Sequence, residues 1–317
     1  MKFHDVIVRA MRLEADAILS FELHAAGGAS LPSFTAGAHV DVHMTEHLAR
    51  SYSLANSPAE NHRYVIAVNK DDLGTGGSRY MHEHVRVGQK LRISEPRNNF
   101  ELHEDAPHTV LLAGGIGITP VRSMVERLRQ LGRPWTLHYA GRTRSSMAYL
   151  DELECLGNQG EDVHLHVDEG HSGRYMDVAG IVVNASPKSH LYCCGPKPML
   201  SAFEKATGQL APERVHVEYF AAKEAAADKG GFLVELARSG RTFPILASAS
   251  ILDTLLDAGV SVDFSCMTGI CGSCETRVLA GIPDHRDSIL TKAQREANDR
   301  MLICCSGSKS STLTLDL

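Results

Sequence analysis

The sequence predicts a multidomain chain: an antiparallel β-barrel, a doubly wound parallel α/β sheet, and a small α+β domain. Three observations carry that prediction. Short alternating strands fill residues 1 to about 102, apolar strands alternate with helix-like segments from Thr109 onward, and a cysteine-rich loop lies in the C-terminal third. At 317 residues and 43% hydrophobic content the chain is long enough for several separate cores.

In the first stretch, Val6 to Val8, Ile18 to Leu23, His39 to Met44 and Tyr64 to Val68 read as strands between Gly and Pro punctuation, which suits a small antiparallel barrel. At TVLLAGGIGITP an apolar strand runs into a glycine turn. PVRSMVERLRQLG follows with helical apolar spacing and ends at Gly132. Strands recur at Thr136 to Tyr139, Asp162 to Val167 and His190 to Cys194, the alternation of a parallel sheet. Ala221 to Gly231, AAKEAAADKGG, suits a linker or a short helix. From Phe232 come two strands, a helix over Ile251 to Ala258, the cysteine loop and a strand Thr312 to Leu317. The expected domains are 1–102, 103–222 and 231–317, with a linker over 223–230.

Composition removes several function classes. A net charge of -6 and a pI near 6.3 give no broad basic surface for nucleic acid. No stretch reaches the roughly 18 to 20 apolar residues of a membrane span, so no membrane association and a cytoplasmic location are expected. Eight cysteines, five of them beyond residue 265, do not make a secreted disulfide framework and point to metal or redox chemistry. Cys155, in YLDELECLG, is expected to be a buried small hydrophobe. Among seventeen histidines, His82 and His84 are expected on a solvated helix face, and no zinc or mononuclear iron site is expected.

Cys266-x4-Cys271-x2-Cys274, followed after 29 intervening residues by Cys304, has the spacing of plant-type 2Fe-2S ligation. Four thiolates around two irons form an anion that needs several backbone N–H donors, and Gly269 and Gly272 inside CMTGICGSC let the backbone curl to supply them. A structural zinc site also takes four cysteines, but as two short C-x2-4-C pairs, whereas the fourth here is solitary. Counting alone does not choose between Cys304 and Cys305.

Arg50-Ser51-Tyr52-Ser53-Leu54 has the form R-x-Y-S. It could set an Arg on a flavin phosphate, an aromatic against the ring and a hydroxyl near N5; an edge strand with a surface Arg and a half-buried Tyr would read the same way. Gly74 to Ser78, GTGGS, precedes the helix-like RYMHEHV and could meet a phosphate, or Ser78 could serve as an N-cap. Gly114 to Pro120 and Cys194-Gly195-Pro196 each end a strand on the carboxyl edge, where open α/β sheets bind ligands. Two such turns favour a nucleotide site over a tight connection.

Taken together, RSYSL, GGS, LLAGGIGITP, CCGPKPM, CMTGICGSC, DHRDSIL and LICCS resemble the phthalate dioxygenase reductase and vanillate demethylase reductase family of the ferredoxin-NADP reductase superfamily, over essentially the whole chain. The resemblance implies an FMN-binding barrel, a nicotinamide-binding domain and a β-grasp 2Fe-2S ferredoxin domain. It implies that Arg50 and Gly76, Gly77 and Ser78 hold the FMN phosphate, and that Ser51, Tyr52, Ser53 and Leu54 line the ring. Gly114, Gly115, Gly117, Thr119, Pro120, Gly195 and Pro196 would meet the nucleotide. Cys194 would approach the nicotinamide, Phe220 would cover the flavin, and Cys304 would be the fourth cluster ligand. Two departures stand out: Ser306-Gly307-Ser308-Lys309 replaces SRAK, and Gly230-Gly231 follows an alanine-rich linker.

The implied activity passes hydride from NADH to FMN and single electrons to the 2Fe-2S cluster and on to a Rieske-type terminal oxygenase, with Ser53 and Cys194 at the reacting centre. Arg142 and Arg144, in AGRTRSS, could form a 2′-phosphate pocket, but the family's preference points to NADH. A monomer is expected. Rival readings are a stand-alone flavin or haem-protein reductase with another acceptor, a flavin and iron–sulfur redox sensor without turnover, and a zinc-stabilised nucleotide-binding protein.

Overall fold

The structure is a computed structural model that describes residues 2–45, 48–74, 76–169, 175–227 and 230–317. Thr75 of the GTGGS turn and Asp228 and Lys229 of the expected linker lie outside the described residues. The chain divides into two compact units, Met1–Glu218 and Tyr219–Leu317.

The first unit opens with β1 (Phe3–Ala15), β2 (Ile18–Ala25), β3 (His39–Thr45), β4 (Leu48–Ser53), β5 (Tyr64–Asn69), the short helix α1 (Gly77–Glu83) and β6 (Lys90–Ser94). These strands form one six-stranded antiparallel sheet in the order β4-β3-β6-β1-β2-β5. Past the end of β4, Ala55 N–H donates to Val65 O on β5 at 2.8 Å, which brings the two outer strands together as a barrel requires. Period-two alternation turns Val6, Val8, Phe21, Leu23, Val40, Val42, Ile66 and Ile93 into its core. β1 runs well beyond the expected Val6 to Val8, because it pairs with both β2 and β6.

There follow β7 (Thr109–Gly114), α2 (Ile118–Leu131), β8 (Trp135–Gly141), α3 (Leu150–Asn158), β9 (Val163–Val167), α4 (Val178–Asn184), β10 (His190–Cys194), α5 (Lys197–Thr207) and β11 (Val215–Glu218). All five strands are parallel, in the order β11-β10-β7-β8-β9. The order reverses between β7 and β10, so the crevice for a ligand lies beyond their carboxyl ends. α2 buries Ile118, Val121, Met124, Val125 and Leu128 on one stripe and stops at the left-handed Gly132.

Barrel and sheet share a core: Ile18, Ala36, Ala55 and Ala67 pack in one cluster with Leu111, Ile118, Val121 and Tyr139. Arg122 bridges them. Its Nη1 donates to Ala55 O at 2.6 Å, its fork grips Glu152, and its guanidinium lies 4.8 Å from the Tyr149 ring centroid.

The second unit holds β12 (Phe232–Leu236), β13 (Thr242–Ile245), α6 (Ile251–Asp257), β14 (Glu275–Ala280), β15 (Pro283–Asp284), α7 (Lys292–Ala297), β16 (Arg300–Leu302), β17 (Gly307–Ser308) and β18 (Thr312–Leu315). The main sheet runs β13-β12-β18-β14-β16, with β12 and β18 parallel. α6 carries the buried Ile251, Leu252 and Leu255, and Ser250 caps it by accepting from Asp253 N. Residues 221–227 form no helix. They lie along this unit: Lys223 N–H donates to Ser288 Oγ at 3.0 Å, Glu224 pairs with Arg286 at 3.4 Å, and Ala227 N–H donates to Cys305 O at 2.8 Å. Cys155 corrects the expectation of burial. It is exposed on α3, because its position falls between the buried Leu153 and Leu156.

Candidate functional site

The four predicted cluster cysteines, Cys266, Cys271, Cys274 and Cys304, are all buried in the second unit. The Cys266 thiol touches those of Cys271 and Cys304, and the Cys304 thiol touches that of Cys274. Sharing protons with Cys271 and Cys304 holds the Cys266 thiol far below its usual range, while contact with Cys266, Cys274 and Cys305 pushes Cys304 up. Thr268 N–H and Ile270 N–H both reach Cys266 Sγ at 3.4 Å, and Cys266 N–H reaches Cys271 Sγ at 3.4 Å. The neighbouring thiols favour a thiolate at Cys266 first, and the loop N–H donors add to it.

The C-x4-C-x2-C spacing with a distant fourth cysteine favours a cluster over zinc, which collects its cysteines as two short pairs. The contacts link the four thiols into one set, 271 to 266, 266 to 304 and 304 to 274. The thiol set and its N–H donors fit a 2Fe-2S cluster.

Cys305 sits behind the loop. A Cβ on Gly269 would meet Cys305 Sγ at 2.5 Å, and Gly269 has φ +75°, so only glycine fits that turn. DHRDSIL forms the outer wall: Ser288 N–H donates to Gly269 O at 2.9 Å, and the fully buried Asp287 accepts from Ile289 N at 3.0 Å and Leu290 N at 2.7 Å. Ser306 Oγ accepts from Arg286 N, and Gly307 pairs with Asp284. A Cβ on Gly307 would meet Ala227 Cβ at 2.8 Å. Both departures from SRAK and from a plain linker thus meet at one contact, the alanine lying where a larger residue 307 would have to go.

In the barrel, β4 carries the R-x-Y-S segment. Arg50 lies across the start of α1, where a Cβ on Gly77 would come 2.5 Å from Arg50 Cγ, so the Arg and the GGS turn are brought together as expected. Ser78 corrects the N-cap alternative. The cap position is Gly76, and Ser78 Oγ instead accepts from Asp71 N at 3.0 Å. Tyr52 Oη is buried with no hydrogen-bond partner, and burial raises its pKa. Such an orphan beside a surface Arg fits an absent polar group such as a flavin. Ser53 is buried, and Leu54 is wholly inside the barrel core, so it supports the floor without exposing side-chain surface. Ser51 turns to the buried Asp41 at 2.6 Å, which pairs with Arg97 at 2.6 Å; sequence reasoning missed that pair because the partners are far apart in the chain.

At the switch point the two predicted turns interlock. A Cβ on Gly117 would sit on the Cys194 carbonyl, and one on Gly114 would meet Pro196 Cδ at 2.6 Å. Those glycines therefore permit turn-on-turn packing. Gly115 differs: nothing lies within 4 Å of its Cβ position, and its left-handed φ of +53° leaves the backbone open. That face fits a pyrophosphate. Thr119 Oγ1 donates to Ile116 O, and Pro120 is buried. Arg142 is exposed just beyond β8, whereas Arg144 is held by Glu154, which leaves the 2′-phosphate pocket without its second cation. Phe220, two residues past β11, is 38% exposed.

Cys194 is fully buried, and burial raises its pKa well above the usual thiol range. Beside it, in register on β11, stands Glu218, whose carboxyl is pushed up to about 8 by burial. Its Oε2 has no partner. The sequence reading singles out Phe220 and misses Glu218, two residues before it. A lone acid at the carboxyl end of a parallel strand was the available signal. His84 is exposed, and His82 is half-buried with its Nε2 2.8 Å from Val68 O.

Comparison with known proteins identifies two domain families along the chain. A model of the 2Fe-2S iron–sulfur cluster binding domain matches residues 234–308, and one of the oxidoreductase NAD-binding domain matches 111–205. The chain is 53% identical to the phenoxybenzoate dioxygenase subunit beta of Ectopseudomonas oleovorans, over 98% of this chain and 96% of that one. It is 50% identical to the tetrachlorobenzoquinone reductase of Sphingobium chlorophenolicum, over 99% and 98%. Among solved structures, phthalate dioxygenase reductase, described as a modular structure for electron transfer from pyridine nucleotides to [2Fe-2S], superposes with a TM-score of 0.75 at 38% identity, covering 99% of this chain and 98% of that one. An intact type IV self-sufficient cytochrome P450 monooxygenase superposes with a TM-score of 0.88 at 38% identity; the chain spans 41% of its length. The chain belongs to the phthalate dioxygenase reductase and vanillate O-demethylase reductase family of NADH-dependent flavin and iron–sulfur oxidoreductases.

Proposed function

We propose that this protein carries electrons from NADH through FMN to a 2Fe-2S cluster and delivers them to a Rieske-type terminal oxygenase, acting as a cytoplasmic monomer. The convergence of four buried thiols under loop N–H donors carries this reading. The proposed domains are 1–102 for FMN, 103–222 for the nucleotide and 231–317 for the cluster, joined by 223–230.

When bound, the flavin takes up hydride and releases electrons one at a time to the one-electron cluster. The chain's own part is positioning. Arg50, with Gly76, Gly77 and Ser78, would hold the FMN phosphate, and Tyr52, which carries the unpartnered hydroxyl, would lie along the ring. Ser53 would donate at N5, while Ser51 and Leu54 would brace that strand. Gly115 would receive the pyrophosphate, with Gly114, Gly117, Thr119, Pro120, Gly195 and Pro196 shaping the crevice and Arg142 at its rim. Cys194 would close the nicotinamide end, with Phe220 as the flavin cover. Cys266, Cys271, Cys274 and Cys304 would hold the cluster.

The test is the visible spectrum of the purified protein under anaerobic NADH titration, with iron, sulfide and released-flavin analysis, followed by NADH-driven reduction of a Rieske-type oxygenase. About one flavin and two irons per chain, bleached in stages, is the expected result. A colourless or iron-free protein overturns it. The relative named as a quinone reductase favours a second reading, in which the acceptor is a quinone. Reduction of a quinone but of no oxygenase would select it.

A further inference from the structure

We propose that His103, His190 and His216 form a binding site for a divalent transition ion of the zinc class, on the amino edge of the parallel sheet. One nitrogen from each ring lies within 4.8 Å of the other two. His190 opens β10, His216 is the second residue of β11, and His103 lies in the segment leading to β7. Cys194 and the glycine turns stand at the opposite, carboxyl edge, so this site is separate from the nucleotide crevice.

The spacing suits a metal. His190 Nδ1 and His216 Nε2 are 3.1 Å apart, and tetrahedral zinc with Zn–N near 2.0–2.1 Å places ligand nitrogens about 3.3 Å apart. His103 lies against both rings, tilted by 34° and 37°, at centroid distances of 4.6 Å and 5.5 Å, and is exposed, which gives an ion a way in. Two of the three rings are disposed to be neutral, as ligands must be: burial lowers His190, and burial pushes His216 down to about 4. The charged groups facing His190 are Arg214, which lowers its pKa along with His103, and Glu213, which raises it.

The site is also braced. Tyr192 stacks on His216 at 4.2 Å with an interplanar angle of 12°. Its hydroxyl accepts from His103 N at 2.8 Å and donates to Glu101 O at 3.3 Å, so one side chain orients two of the three histidines. Three neutral imidazoles with an open fourth position select Zn2+, Ni2+ or Cu2+ over Mg2+ and Ca2+. A bound ion would tie the barrel-exit segment to the last two strands of the sheet.

The experiment is calorimetric titration of Zn2+ into the holoenzyme, with flavin and two irons per chain verified beforehand and Mg2+ in the background. Zinc-edge absorption spectroscopy follows on the loaded protein. The variants are the His190→Asn/His216→Asn pair and, as control, His138→Asn, since His138 belongs to a separate histidine group with His164 and His166. Saturable binding of one ion through nitrogen and without sulfur is expected. It should weaken roughly 100-fold or more in the double variant, since a ligand costs at least what an outer partner does, and survive in His138→Asn. Absence of saturable binding, sulfur in the zinc shell, undiminished binding in the double variant, or loss in His138→Asn overturns the proposal. Retained flavin and iron in the double variant show that it has folded.

Discussion

Cys194 and Glu218 end two neighbouring parallel strands side by side, in register with each other. Glu218 is half-buried with Oε2 sealed off without a partner, and burial pushes its pKa up to about 8. Its negative charge adds to burial in raising Cys194. A neutral acid is the stable form of this pair near neutrality.

The pH dependence of stability follows from that shift. The folded protein holds the Glu218 proton up to about pH 8, while the unfolded chain releases it near the ordinary carboxyl value of 4.5. Folding then takes up a proton between those values, so this group's contribution is full below about 4.5 and is lost as pH rises through 8. Glu218→Gln should flatten that slope. Thermal unfolding from pH 5 to 9 checks it, and identical slopes in both proteins would sink the assignment.

Cys304 and Cys305 should separate cleanly. Cys304 Sγ contacts the sulfurs of Cys266 and Cys274, whereas Cys305 Sγ lies behind Gly269 and 3.8 Å from Leu302 O. Cys304→Ser is expected to lose the cluster's visible absorption and most of its iron, and Cys305→Ala to keep both. Iron analysis and the visible spectrum of each variant decide.

The two turn glycines make opposite predictions. Gly117→Ala drives a methyl into the Cys194 carbonyl and should cost about 1–3 kcal/mol of stability through overpacking. Gly115→Ala meets no atom and costs only the backbone strain of a left-handed alanine, about 1–2 kcal/mol. Its added methyl should raise the KM for NADH by crowding the open backbone. Chemical denaturation paired with steady-state kinetics distinguishes them.

Gly307→Ala should destabilise the ferredoxin unit by about 1–3 kcal/mol, because its methyl meets Ala227. Ala227→Gly in the same chain should recover much of that loss. A double-mutant cycle by denaturation reads the coupling, and additive effects would mean that the segment moves aside freely.

The cluster spacing, the glycine turns at strand ends and the change from alternating to helical periodicity near Thr109 were all legible in the sequence, because each depends on residues close together in the chain. Local spacing likewise identified Cys266, Cys271 and Cys274, and resemblance added Cys304. What the chain order concealed was decided by the tertiary structure. The pairing of β10 with β11 sets Glu218 beside Cys194, and packing on Ala227 explains Gly307. Ser51 is drawn to Asp41, and three histidines from separate segments meet on one sheet edge. Cys155 shows the limit of periodicity, for a one-residue rotation on α3 exchanges a buried face for an exposed one. Short-range pattern fixes which chemistry a segment can hold. Register and packing between distant strands fix which groups are left buried, paired or alone, and those relations have no local signature.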